Sequence, residues 1–368
     1  MGLRLRSPVV EVRDFWEWDR LARDRRWTDG LVVAPPTEDR VLAILEYVGR
    51  DPQEVIGVIP PAQGVATVEQ VAIQCAMAGC LPEHVPVVTA ALDAMLEPRF
   101  NLGGVQATTN PCAPLVIVSG PVVERLGFHT GDNAFGGGSH ASAAVGRAVR
   151  LILWNIGGGY PGETDRATMG SPAKYLFCVA ENRAESPWPP FHTDYGLEPE
   201  ADAVTVFACQ PPQPIFAPGT AERILKVLAD TLPTVGVNMF HAAGQYLVVF
   251  SPRVAWELAR AGHTQQDVRE WLFEHARYEV GRLRRLGVLV EREPHQYYWG
   301  HRPEGPPDVS GLPDETLLPM VERPEDIHIL VTGSLSQWWV GFCPGWGNYG
   351  GFAVTRRVTF PQKEGTKA

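Results

Sequence analysis

Three consecutive segments, AVTVFAC (203–209), TAERILKVLADTL (220–232) and QYLVVFSP (245–252), decide the fold class. The first and third are short, apolar, rich in β-branched and aromatic residues, and bounded by Pro, Gly or Ser, which is the pattern of a buried strand. The second repeats its apolar residues at helical spacing behind a Thr that can cap a helix. Strand, helix and strand follow one another within fifty residues, and the same texture extends in both directions. LVIVSG (115–120), KYLFCVA (174–180) and IHILVTG (327–333) read as further buried strands. Helices are expected from Ser139 to Asn155, from Pro252 to Ala261 and from Thr264 to Tyr278. The expectation is an α/β fold with partly parallel or mixed sheets flanked by helices, its site loops rich in Gly and Pro.

Upstream, residues 37–97 read as helical. Thr37 and Gly49 bracket EDRVLAILEYV, and Thr67 with Gln70 has the form of a capping box opening VEQVAIQCAMA. An amphipathic, Trp-rich stretch, DFWEWDRLARDRRW, precedes them and suggests a surface helix or a homodimer contact. The organisation expected is a helical N-terminal region (1–98), an α/β region with a Gly-rich loop (99–200) and a second α/β region with a Gly/Trp-rich end (201–368). Residues 292–326, polar and Pro-rich, read as a long ordered loop or lid. No internal repeat of fixed period is present.

Composition narrows the function classes. The 368 residues carry 32 Lys+Arg against 42 Asp+Glu, a net charge of −10, which argues against a nucleic-acid partner. No apolar run approaches a membrane span and the start has no secretory pattern, so a cytoplasmic globular protein is expected, with no membrane partner. Gly and Pro total 37 and 33, enough for many ordered loops. Six cysteines without CxxC or zinc spacing suggest reduced thiols.

Four segments could carry chemistry. In FNLGGVQATTNPCAPLVIVSGP (100–121), Asn101, Gln106, Thr108, Thr109 and Asn110 crowd before a strand, as a tight connection or a polar rim. In HTGDNAFGGGSH (129–140), Asn133, Gly136, Gly137, Gly138 and Ser139 open a helix and would seat an anionic group, flanked by His129 and His140. In KYLFCVAENRAESPWPPFH (174–192), a strand ends in Cys178, followed by Glu181, Asn182, Glu185 and His192. Thiol, carboxylates and imidazole at a strand end supply nucleophile, acid and base, or the ligands of a transition metal ion. In VTGSLSQWWVGFCPGWGNYGG (331–351), Trp338, Trp339, Trp346 and Cys343 could line a loop site or pack.

The runs DGLVVAPPTEDRV (29–41), CAMAGCLPEHVPVV (75–88), NAFGGGSHASAAVGRAVRL (133–151) and CVAENRAESPWPPFH (178–192) resemble a bacterial family associated with UGSC-type (seleno)proteins. The resemblance covers residues 29–355. That family is named for a Sec/Cys-Gly-Ser-Cys motif, which this chain lacks; its nearest string is Thr332-Gly333-Ser334-Leu335. The resemblance implies thiol-oxidoreductase-like chemistry and singles out Cys80, Asn133, Cys178, Glu181, Asn182, Glu185 and His192. It also implies that a small UGSC-type redox protein is the partner supplying any such dithiol.

Together these readings give an enzyme acting on a small polar or anionic molecule, with Cys178 or Cys80 as thiol and Glu181 or His192 as acid/base. Asn133, Gly136, Gly137, Gly138, Ser139, Asn182 and Glu185 would bind the substrate. The alternatives are a metal-dependent lyase, hydratase or hydrolase with Cys/Glu/His ligands, and a non-catalytic subunit of a redox protein. A homo-oligomer is expected in each case.

Overall fold

The computed structural model describes residues 4–237, 239, 243–288, 309 and 311–362. In chain order its helices are α1 (Phe15–Asp24), α2 (Glu38–Val48), α3 (Val68–Ala78), α4 (Val85–Met95), α5 (Leu102–Ala107), α6 (Val122–Arg125), α7 (His140–Asn155), α8 (Ala221–Thr231), α9 (Pro252–Arg260), α10 (Gln265–His275) and α11 (Val280–Arg285). The strands are β1 (Val55–Ile59), β2 (Gly64–Thr67), β3 (Ala113–Ser119), β4 (Cys178–Ala180), β5 (Ala203–Cys209), β6 (Gln213–Phe216), β7 (Tyr246–Phe250), β8 (Arg277–Glu279), β9 (Leu317–Pro319), β10 (Ile327–Val331), β11 (Trp339–Pro344) and β12 (Val354–Arg357). This is the α/β class, with mixed sheets.

Two four-stranded sheets, ordered β12-β5-β3-β4 and β6-β11-β7-β10, form the centre. Their strands β3, β5, β7 and β10 are buried along their length and mostly apolar because both faces are covered. Along β3, Leu115 and Ile117 point to one side, packing with Phe207, Leu247, Val249 and Leu330 between the sheets. Val116 and Val118 point to the other side, against residues of α3, α4 and α7. In the second sheet Val248 and Phe250 face Ile224, Leu228 and Leu258 of α8 and α9. The layers therefore run helix, sheet, sheet, helix.

The two sheets repeat one plan. In the first, β3 is parallel to β4 and antiparallel to β5, which is antiparallel to β12. In the second, β7 is parallel to β10 and antiparallel to β11, which is antiparallel to β6. The registers agree residue by residue: Val118 faces Ala180 and Val204, while Phe250 faces Val331 and Val340. LVIVSGP (115–121) and LVVFSP (247–252) are the sequence echo, each a strand ending in Ser before a Pro-led helix. No fixed period reveals this repeat because the connecting segments differ in length.

The outer strands are exchanged. β6 follows β5 in the chain but joins the second sheet, whereas β12 follows β11 and joins the first. The sheets also meet directly. Asn182 N–H donates to Val331 O at 2.9 Å, and Thr332 Oγ1 donates to Ala180 O at 2.7 Å, where β4 and β10 end. At the opposite corner Cys209 bridges Gly345. These two occupy equivalent positions, each five residues beyond the partner of Val118 or Phe250, so the bridge sits on the pseudo-twofold axis.

Several local expectations change. Residues 37–97 are not wholly helical, because β1 and β2 form a hairpin around Pro60–Gly64. Thr37 makes no side-chain cap, although Gly49 ends α2 in the left-handed region (φ 66°) as read. Thr67 accepts the Gln70 N–H, half of the capping box anticipated. Only residues 178–180 of KYLFCVA are strand, since Pro172–Lys174 form a 3-10 turn. Most of the loop anticipated at 292–326 lies outside the described residues. Among the described residues no single helix is long and apolar enough to cross a membrane.

A Cβ added at Gly345 would lie 2.1 Å from the Gln245 carbonyl oxygen and 3.1 Å from the Phe207 ring. Because that carbonyl is backbone and cannot swing aside as a side chain would, Gly345→Ala is expected to destabilise by about 3 kcal/mol. Urea unfolding checks this, and a parental midpoint would contradict the close approach of Gly345 to the segment that leads into β7.

Candidate functional site

The residues singled out by sequence gather into two centres. The first is the corner where β4 and β10 end. Asn182 Nδ2 donates to Gly333 O at 3.0 Å and to Glu185 Oε2 at 2.8 Å. Gly333 N–H donates to Thr130 O at 2.8 Å, and Ser334 bonds Asp132. The segments 130–132, 180–185 and 331–334 are thus one connected surface. Within it Asn182 and Glu185 bind each other and the neighbouring strand end.

Glu181 is the polar group at this corner whose bonding is incomplete. Its Oε1 accepts the Phe191 N–H at 2.8 Å, whereas Oε2 is buried without a partner. Burial pushes its carboxyl up to about 7, opposed by the Phe191 bond and the Arg183 charge. His192 has no free nitrogen: Nδ1 lies 3.0 Å from Ser119 Oγ and Nε2 lies 2.9 Å from Glu198 O. Burial lowers its pKa, so the ring holds Ser119 and Glu198 as a neutral group.

Cys178 points the other way. Successive strand residues alternate, so Cys178 and Ala180 face the helical layer while Val179 faces the space between the sheets. Burial drives its thiol far above the ordinary range, which leaves the sulfur unreactive at neutral pH. Cys178, Glu181 and His192 therefore do not converge. Among the described residues no three His, Cys, Asp or Glu side chains are grouped to hold a metal ion.

The glycine loop is exposed and largely satisfies itself. Asn133, at φ 66°, donates through Nδ2 to Gly137 O at 2.9 Å, and its own carbonyl takes the Gly136 N–H. Gly136, Gly137 and Gly138 lie on the surface, and Ser139 caps α7 by accepting the Ser142 N–H at 3.2 Å. In the polar segment before β3, Gln106 donates to Pro60 O and Leu153 O, while Thr108 accepts from Trp346 Nε1. Those groups fasten a connection.

The second centre is where α3 ends. Gly79 adopts the left-handed conformation (φ 83°), its N–H bonds Ala76 O at 3.1 Å, and Cys80 N–H bonds Cys75 O at 2.9 Å. This pair of bonds is a Schellman motif, which brings the side chains three residues before the cap and two after it into contact. Here those side chains are Cys75 and Cys80. Both lie in the helical core, and each thiol shifts the pKa of the other.

Cys80 is also held by its surroundings. Its Sγ lies 3.4 Å from Ala144 O on α7. His84, in the 3-10 turn Pro82–His84, accepts the Leu81 N–H on Nδ1 at 3.2 Å. His140, first residue of α7, lies 5.4 Å from the His84 ring and bonds Gly79 O at 2.8 Å. The Cys75 thiol lowers the Cys80 pKa most; burial opposes it, and His84 and the Arg40 charge lower it further, to about 7. Cys75 moves well above its ordinary value, first through its bond with Cys80 and then through burial.

Cys80 was legible as a candidate, but Cys75 and His84 were not. The available signal was C-x3-G-C, a helix-ending glycine that brings the flanking cysteines together. Comparison with protein-family models, curated proteins and solved structures finds no match to this chain.

Glu181 supplies a stability prediction. A carboxyl raised from 4.5 to about 7 keeps its proton in the folded chain while the unfolded chain has lost it, so stability falls as pH rises through that window. Glu181→Gln is expected to gain on the order of 3 kcal/mol over the parent above the window and nothing below it. Urea unfolding at pH 4 and pH 8 tests this, and an equal difference at both would exclude a protonated Glu181.

Proposed function

We propose that the protein is a thiol–disulfide oxidoreductase in which Cys80 is the attacking thiolate and Cys75 the resolving thiol. The observation that supports this is the helix cap at Gly79, which sets Cys75 and Cys80 side by side, with Cys75, His84 and Arg40 all lowering the Cys80 pKa. A thiol with a pKa near 7 is about half ionised at neutral pH, and nucleophilic attack is fastest for thiols in that range. Cys80 is 5% exposed and adjoins Leu81, which is 45% exposed, whereas Cys75 is fully buried. The division into an outer attacking sulfur and an inner resolving one follows from that order.

In the reaction, the Cys80 thiolate attacks one sulfur of a small disulfide. The S–S bond breaks, the departing thiolate takes up a proton, and a mixed disulfide with Cys80 remains. Cys75 then loses its proton and attacks the Cys80 sulfur, releasing the second thiol. The substrate gains two electrons and two protons, and the chain is left with a Cys75–Cys80 disulfide. A second dithiol must return it to the reduced state, a role matching the small redox partner that the family resemblance implies. Such a cycle, with six free thiols, suits a reducing compartment such as the cytoplasm.

Dipyridyl disulfide tests the assignment, because each released thiopyridone absorbs. The parent should release two equivalents in a fast phase, Cys75→Ala one, and Cys80→Ala none. Alkylation of Cys80 should follow a midpoint near 7 in the parent and move toward roughly 8.5 in Cys75→Ala. Fast release that survives Cys80→Ala, or no thiol reacting ahead of the others, would overturn it.

A further inference from the structure

A group of buried charges on the opposite side of α7 is unbalanced. Arg147 Nη2 lies 2.7 Å from Asp29 Oδ1, and Lys174 Nζ lies 2.8 Å from both oxygens of Asp165. Arg150 Nη2 donates to Gly159 O at 3.2 Å and stands 3.8 Å from Asp165 Oδ2. The side chains of Arg150 and Lys174 are only 11% and 14% exposed. Three cations thus face two carboxylates. Arg150 shares Asp165 with Lys174 and otherwise meets the Trp154 ring at 5.4 Å, so one positive charge has no carboxylate of its own where an unmatched charge is costly.

Space and an unused donor accompany that charge. Arg150 Nε is buried and has no hydrogen-bond partner. Beside it lies a cavity of ≈ 20 Å³ lined by Gln106, Cys112, Arg150 and Lys174 among apolar residues of α5 and α7. Gln106 and Cys112 form a buried floor, while Ala173, Lys174 and Leu176 form a half-exposed rim. The volume exceeds the roughly 10–15 Å³ that one water needs, but only modestly.

We propose that this cavity binds the carboxyl group of a small monoanionic carboxylate, with Arg150 Nε and Lys174 Nζ as donors. A single negative charge completes the balance, and the two oxygens of a carboxylate suit one guanidinium and one ammonium donor. A phosphate dianion would be larger and would reverse the charge excess. The site is independent of the thiol chemistry: Cys80 meets α7 at Ala144, whereas the cavity is lined by Gly146, Val149 and Arg150.

Calorimetric titration of the full chain with sodium formate, in chloride-free Hepes at pH 7, tests the proposal. The parent should bind one formate per chain saturably, and Lys174→Met and Arg150→Met should each weaken binding by about tenfold or more. Lys226→Met, on an exposed helix face, should bind as the parent does. Should Arg150→Met fail to fold, Lys174→Met decides the matter, since Arg150 remains to face Asp165. No saturable formate binding by the parent, parental affinity in Lys174→Met, or tighter binding of phosphate than of formate would each overturn the site.

Discussion

The structure depends on strands that are apolar on both faces. Leu115, Ile117, Phe207, Leu247, Val249 and Leu330 bury one side of each sheet against the other sheet. Their alternate neighbours bury the second side against helices. Because side chains on a strand alternate strictly, a slip of one residue would exchange the two cores and mismatch both. The registers of all central pairs are therefore mutually constrained. That constraint holds the ends of β4 and β10 within hydrogen-bonding distance, and with them Glu181, Asn182 and Thr332.

The pseudo-twofold arrangement explains why the polar corner forms where it does. In each half the parallel pair ends in a turn toward the other half. The backbone groups released there find partners across the axis, Asn182 with Val331 and Thr332 with Ala180. The halves differ at the next residue. One presents Glu181, buried and partly unsatisfied, and the other presents Thr332, fully bonded. The helical layer carries a second asymmetry, since the thiol corner and the uncompensated cations both flank α7, on opposite sides.

Much of the architecture was readable from residue pattern, for identifiable reasons. β3, β5, β7 and β10 are mostly apolar runs, with Thr205 and His328 the polar residues inside them, so they announce themselves. β6 contains Pro214, β11 contains Gly341 and two aromatic residues, and β12 carries Arg356 and Arg357, so their strand character comes from pairing instead of composition. The hairpin of β1 and β2 was marked by Pro60, Pro61 and Gly64 inside a stretch read as helix. At the site, Glu181 and Cys80 were visible as residue types with chemistry. Spacing alone does not say that Cys80 gains a second thiol, an imidazole and a guanidinium as neighbours, whereas Cys178, equally buried in the same helical core, meets none that lowers its pKa. The pairing of Cys75 with Cys80 becomes readable only once Gly79 is known to end α3 in the left-handed conformation.

The exchanged outer strands also bear on how the chain matures. As the protein emerges from the ribosome, β3, β4 and β5 are complete long before residues 354–357 appear. Until then the outer edge of β5 has no β12 and presents unpaired N–H and C=O groups. The second sheet waits for a shorter interval, since β6 and β7 gain their partners β10 and β11 at residues 327–344. Vectorial synthesis therefore leaves the half that carries both the thiol corner and the cation cavity open the longest. Closure by a strand so distant in sequence is a slow, high-contact-order step, during which chaperones that mask sheet edges have most to contribute.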